Sequence, residues 1–269
     1  MRAFDAKGAA VSLLTGVRTL APSLTTLAVM VLIWAAAVDA LQIPKYLIPS
    51  PASVLEVFTT QTELLWENSL RTAYEVVVGF IVAVVLGIPL GMAIAESRLF
   101  GRIVYPLIIA SQSIPKIAIG PLLVVWFGFG LTPKLIMVVL VAFFPIVVNT
   151  AIGMKSVSPS TISLARSIGL SKLATFTKIR LPQAMPNIFG GLEVAITFAV
   201  IGAVVGEFLG ADLGLGYLLV AAGGQLETAM LFAALVAVTI LGLVMYGFIL
   251  AIKRLTIPWA FEEPTAELA

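Results

Sequence analysis

Neither cysteine nor histidine occurs among the 269 residues. Their absence removes disulfides, thiolate and imidazole metal ligands, Cys/His nucleophile pairs and any histidine proton relay. No Gly-x4-Gly-Lys-[Ser/Thr] phosphate loop is present either. Gly210, Gly214, Gly216, Gly223 and Gly224 crowd one short stretch, but no strand precedes them. Tight turns and close backbone packing explain that spacing better than a dinucleotide loop does. What chemistry remains rests on a few polar groups inside long apolar runs: Gln112, Lys116 beside Pro115, Asn149, Glu193 and Glu207. A lysine at mid-membrane depth costs about 2.5–3.5 kcal/mol on insertion scales, so Lys116 requires a partner or a wet cavity. Two readings stay open for it. One is a fixed ion pair, with Glu207 as the natural partner; the other is a cation lining the route of an anionic solute. Asn149 is readable as a pathway group or as glue between helices.

The elements that position these groups are membrane spans. Apolar residues make up 60% and charged residues 11% of the chain, with a mean hydropathy of +1.11. A soluble domain carries about 25% charged residues, so a water-soluble core is excluded. Runs of roughly 20 apolar residues suffice to cross the hydrocarbon layer. Six occur: Leu20–Val38, Val76–Ala95, Ile103–Phe127, Leu135–Met154, Ile188–Gly210 and Thr228–Ile252. The third is interrupted by Pro115 and Pro121, and Gly87-Ile88-Pro89-Leu90-Gly91 in the second reads as a close-packing patch. The first run exceeds the usual 7–15 residues of a signal-peptide core and reads as a retained span.

Basic residues orient the bundle. Arg2, Lys7, Arg18, Arg98, Arg102, Lys155, Arg166, Lys172, Lys178, Arg180, Lys253 and Arg254 fall on one side, twelve of the 16. Lys45, Arg71 and Lys134 fall on the other, with Lys134 closing a short external loop at 131–134. The asymmetry predicts both termini in the cytoplasm. On the external side, Ser50-Pro51 reads as an N-cap and first helical residue. The helix from Ala52 would set Val54, Leu55, Phe58 and Leu65 on one side, either along the interface or as a plain connector. A second external loop is expected over 211–225.

The internal segment 153–187 is long and patterned. Ser158-Pro159 caps a helix carrying Ile162, Leu164, Ala165 and Ile168; Gly169 suits the left-handed residue that ends it. Ser171 caps a second helix, in which Leu173, Phe176 and Ile179 recur every third residue until Pro182 stops the run. This bent hook buries its apolar face either beneath its own spans or in a groove on another protein.

Ala165, three residues, Gly169, nine residues, Ile179 and then Arg180-Leu181-Pro182 resembles the EAA motif of ABC-importer permeases. That motif runs Glu-Ala-Ala, three residues, Gly, nine residues, Ile, one residue, Leu-Pro. The stretches Pro115-Lys116-Ile117-Ala118, Trp126-Phe127-Gly128-Phe129-Gly130 and Glu207 followed by Gly214-Leu215-Gly216-Tyr217 are similar to the nitrate/sulfonate/taurine permease subfamily, which includes pyrimidine-precursor importers. Ser163-Leu164-Ala165 stands where the family commonly has Glu-Ala-Ala, so the leading carboxylate is missing.

The resemblance implies an all-α integral membrane protein of the type I ABC-importer permease fold. Residues 1–19 would form a cytoplasmic tail, 20–252 the six-span domain with its coupling loop at 153–187, and 253–269 a second cytoplasmic tail. The implied function is the translocation subunit of an ATP-driven importer in the bacterial inner membrane, passing a small, anionic or polar organic solute. Ser163, Leu164, Ala165, Arg166, Gly169, Leu173, Phe176, Ile179, Leu181 and Pro182 would form the ATPase-coupling loop. Gln112, Pro115, Lys116, Asn149 and Glu207 would line the pathway or its gate. Implied partners are two ATPase subunits that use ATP and Mg, a second permease copy, a periplasmic solute-binding protein and the bilayer, with no nucleic acid and no cofactor on the chain itself. The alternative is an ion-coupled secondary transporter, which favours paired intramembrane carboxylates and inverted repeats. No repeat is evident, and only Glu193 and Glu207 fall within the expected spans. A membrane-embedded enzyme lacks the residues it would need.

Overall fold

A computed structural model of the chain describes Pro22 and residues 25–261. The N-terminal tail and the end of the C-terminal tail lie outside those residues. Every described regular element is helical: α1 (Thr25–Ala40), then α2 (Pro51–Thr60), α3 (Thr62–Glu96), α4 (Arg98–Gln112), α5 (Lys116–Phe127), α6 (Leu131–Lys155), α7 (Pro159–Ser167), α8 (Lys172–Thr175), a π-turn (Phe176–Arg180), α9 (Leu181–Glu207), α10 (Leu215–Gly224), α11 (Thr228–Thr256) and a closing 3₁₀ turn (Pro258–Phe261).

Among the described residues, four helical runs are long and apolar enough to cross a membrane: Thr62–Glu96, Leu131–Lys155, Lys172–Glu207 and Thr228–Thr256. The expected third span is instead two helices, α4 and α5, bent by 94°. Pro115 is the physical cause. It supplies no backbone N–H and pushes Ile114 out of the helical region. Pro121 does not break the run but lies inside α5. The expected stop at Pro182 is also absent. Leu181 N–H bonds to Phe176 O across the π-turn, and the helix continues through Pro182. A wide i→i+5 turn at this point leaves room for a residue that cannot donate.

The described residues group into two compact units, those up to Thr62 with Ala222–Ala233, and Glu63–Ala221 with those from Ala234 onward. In the first, Ser50 caps α2 by accepting from Ser53 N–H, with Pro51 at the first turn. The helix ends at Thr60, so Leu65 is not part of it. Val54 is buried and Leu55 exposed, on different faces. Trp34 and Phe232 stack at 5.6 Å, and Thr228 donates to Lys45 O at 2.5 Å.

In the second unit α6 is the central helix. Glycines on α3 let the two backbones approach: a Cβ at Gly79 would lie 2.5 Å from Val138, at Gly87 2.9 Å from Ile146 and at Gly91 2.6 Å from Thr150. Each pair keeps the 59-residue offset of Glu75 and Lys134, so α3 and α6 run parallel in a single register. Small-xxx-small stripes of this kind replace the missing hydrophobic drive between helices in lipid. Gly87 and Gly91 thus occupy the expected close-packing patch. Across α6, Gly191, Gly202 and Gly206 of α9 meet Asn149, Val138 and Lys134 in antiparallel order. Val76, Ala83, Val138, Ala142, Ile146, Ala195, Ala199 and Ala203 complete this core. Large apolar side chains such as Val125, Trp126, Leu243 and Phe248 remain open on the outside, as a lipid-facing surface requires.

Candidate functional site: a coupling hook and a buried polar clasp

The hook forms by local rules. Ser158 accepts from Thr161 N–H to start α7, and Ser171 accepts from Ala174 N–H to start α8. Between them Gly169 adopts φ +79°. Gly169 N–H bonds Arg166 O at 3.0 Å and Leu170 N–H bonds Ala165 O at 3.0 Å, the paired bonds of a Schellman end. Ser163, in place of the family's glutamate, donates to Pro159 O at 2.9 Å. It contributes no charge.

Residues expected to share one apolar face divide into two sets. Ala165 is buried, and Phe176 and Leu181 pack on Met154, Ala184 and Ile188 beneath the bundle. Ile179 and Pro182 are half-buried. Leu164, Ile168 and Leu173 are 63%, 68% and 73% exposed, with Arg166 and Lys172 also exposed beside them. Phe176 therefore does not belong with the outward anchors. The hook therefore divides: its base lies under its own spans and its tip is uncovered.

At the far end of α3, α6 and α9 lies a cluster the hydropathy pattern hides. Asn68, Thr72, Glu75, Lys134 and Glu207 are all buried. Thr72 donates to Glu207 Oε1 at 2.7 Å. Gly216 N–H donates to Glu207 Oε2 at 2.5 Å, Gly214 N–H to Asn68 Oδ1 at 2.7 Å and Leu215 N–H to Thr72 Oγ1 at 2.8 Å. Three backbone donors opening α10 are thus satisfied by side chains from α3 and α9. The expected 211–225 loop is mostly helix, its irregular part ending at Gly214. Gly210 and Gly214 turn the chain at φ +102° and +123°, and a Cβ on Gly214 would overlap the Glu207 carboxylate. Lys134, expected in a loop, is buried in the first turns of α6 and binds Glu75 Oε1 at 2.9 Å. Arg71 approaches the same oxygen at 3.3 Å.

The Lys116–Glu207 ion pair is not formed. Glu207 is held by Thr72 and Gly216, and among the described residues Lys116 makes no ion pair. Lys116 is half-buried at the start of α5, with Gln112 and Pro115 exposed at the same break. Asn149 turns back to donate to Pro145 O of its own helix at 2.8 Å. Glu193 pairs with Lys253 at 2.8 Å. The overlooked residues Asn68, Thr72 and Glu75 did carry a signal. They recur at helical spacing just upstream of the apolar run, on the face that continues into Gly79.

Residues 83–257 match the model of the family described as binding-protein-dependent transport system inner membrane component. A probable ABC transporter permease protein of Haemophilus influenzae is 35% identical over 86% of this chain and 94% of its own length. The formylaminopyrimidine transport permease protein ThiX of Halalkalibacterium halodurans is 35% identical over 90% and 96%. Other relatives are named as permeases for riboflavin, taurine and aliphatic sulfonates. A solved structure of inward facing conformations of the MetNI methionine ABC transporter shares the fold, with a TM-score of 0.59 at 21% identity, over 74% of this chain and 97% of that one. In this family ATP hydrolysis belongs to a partner subunit and the membrane subunit is not itself an enzyme, which sets the ion-coupled alternative aside. The hook, the glycine-packed helices and these likenesses converge: the chain belongs to the binding-protein-dependent transport system inner membrane component family, as a multi-pass ABC-importer permease of the sulfonate/taurine/nitrate subfamily.

Proposed function

We propose that the chain crosses the bacterial inner membrane six times with both termini in the cytoplasm. It works as a pair, with two ATPase subunits below and a periplasmic binding protein above. The observation that carries this reading is the uncovered trio Leu164, Ile168 and Leu173 on a hook whose base is anchored. Apolar anchors on a short helix suit a groove on the ATPase, with Arg166 and Lys172 at the rim. Ser163, Ala165, Gly169, Phe176, Ile179, Leu181 and Pro182 shape and seat that hook rather than contact the groove.

For the pathway, we assign Gln112, Pro115 and Lys116 at the α4–α5 break to the solute route, and Glu207 to the gate through its hold on α10. Asn149, bonded to its own helix, is a packing residue. A half-buried ammonium without a carboxylate partner favours a small polar or anionic organic solute. The relatives named for formylaminopyrimidine, taurine and sulfonates support that class.

The test is uptake by vesicles holding permease, ATPase and binding protein, with formylaminopyrimidine and taurine as probes. Uptake driven by internal Mg-ATP is expected; uptake driven only by a proton or sodium gradient would refute the reading. Lys116→Met should lower uptake of taurine, whose sulfonate the ammonium would face, without loss of folded protein, and unchanged uptake would remove Lys116 from the route.

A further inference from the structure

We propose that Arg180 is a positioning residue that ties the hook to α3 and α6, so that hook displacement moves those helices and not α9 alone. The inference rests on the importer reading above. Arg180 ends the π-turn. Its Nη1 is paired with Glu96 Oε2, and its Nη2 donates to Met154 O at 3.4 Å. Glu96 is the last residue of α3 and Met154 lies in the last turn of α6. One guanidinium therefore joins three element ends.

Each contact answers a local electrostatic problem. A carboxylate at a helix C-terminus faces the negative end of the dipole, so Glu96 is poorly placed without a cation. The carbonyl of Met154 is among those that a helix end leaves without an intrahelical donor. The planar fork of arginine can serve both at once, whereas a lysine ammonium is a single point donor. Glu96 is 61% exposed at its side chain, so the pair adds little to stability. Its value is directional.

The need for a tie follows from the π-turn. A regular helix from the hook into α9 would carry force by itself. Here five residues with i→i+5 bonding stand between them, and such single-turn departures from the α-helix are rare and occur mostly at functional sites. The packing of Ala165 and Phe176 is apolar and without direction. Among the described residues, Arg180–Glu96 is the one ion pair between residues 156–182 and α3.

The experiment uses the complete complex of permease and ATPase, with Mg-ATP as the ligand. The chain has no cysteine, so Ser160→Cys on the hook and Ala93→Cys on α3 are the two label sites of a permease copy, and labelled permease is diluted with unlabelled permease and assembled with cysteine-free ATPase so that one label pair is read. In the parent, the Ser160–Ala93 label distance should stay fixed between nucleotide-free and Mg-ATP states. In Glu96→Gln and in Arg180→Met it should change on adding Mg-ATP, while the ATPase still co-purifies. Arg180→Lys should fall between. Arg180→Met with Glu96→Gln should be no worse than either alone. Solute uptake per ATP hydrolysed should fall at least about fivefold in the single variants, the lower end of site-to-site coupling. An unchanged label distance in both single variants overturns the tie, as does loss of ATPase binding, which would make Arg180 a folding residue only. Failure of the parent to bind the ATPase would instead overturn the importer reading of the hook.

Discussion

At the end of the bundle where α3 and α6 begin, polar side chains are sealed away from solvent and nearly every one has a defined partner. At the opposite end, the hook leaves three large apolar side chains in the open and is joined to α3 by one half-exposed ion pair. The first region is complete within the chain. Asn68, Thr72 and Glu207 hold the start of α10, and Lys134 neutralises Glu75. The second, on the proposed reading, completes itself on the ATPase. One end is held by its own buried polar contacts and the other is left open for a partner, so substitutions at the two ends should fail in different ways.

The largest effect should come from the clasp. Lys134→Met leaves Glu75, which has no solvent exposure, with Arg71 alone, and breaking a buried pair typically costs about 3–5 kcal/mol. Thermal denaturation of the purified permease in detergent should register the loss. Glu75→Leu combined with Lys134→Met should recover much of it, and failure to recover would mean the pair does more than balance charge. Next comes Gly87→Val, which drives a branched side chain into Ile146 and should cost about 1–3 kcal/mol, read by the same melt. A smaller effect is expected for Gly169→Ala. Nothing lies within 4 Å of the added methyl, so only the left-handed backbone is penalised, by about 1–2 kcal/mol. At the hook tip, Ile168→Asp should change the melting of the isolated permease by less than about 0.5 kcal/mol yet abolish co-purification of the ATPase. Retained co-purification would erase the contrast between the two ends.

The hook was legible because its signals are local. Ser158-Pro159, Gly169 and Ser171 each specify one backbone event within a few residues, and all occur as expected. Its division into base and tip was not legible, since periodicity groups Phe176 with Leu173 and cannot tell a face turned to the bundle from one turned to a partner. The clasp was hidden for a different reason. Hydropathy places the second span from Val76, whereas α3 begins at Thr62, so Asn68, Thr72 and Glu75 precede the apolar run. Lys134 looked like a loop charge because its compensating carboxylate is 59 residues away. Composition identified a membrane protein and proline placement found the α4–α5 break, but the 94° bend depends on what surrounds it. Lys116–Glu207 paired on paper because long-range partners are invisible to spacing.

The single register shared by α3 and α6 has a mechanical corollary. With glycines of one helix seated against Val138, Ile146 and Thr150 of the other at fixed intervals, a slide of an ångström or two would drive β-carbons into backbone. The next comfortable seat is a whole helical turn away, about 5.4 Å. Small excursions of one against the other are thus forbidden by sterics, and α3 and α6 must travel as one stiff beam. Whatever articulation a transport cycle uses in this part of the molecule has to be found at the beam's ends: the kink before α5, the widened turn after α8 and the glycine corner before α10.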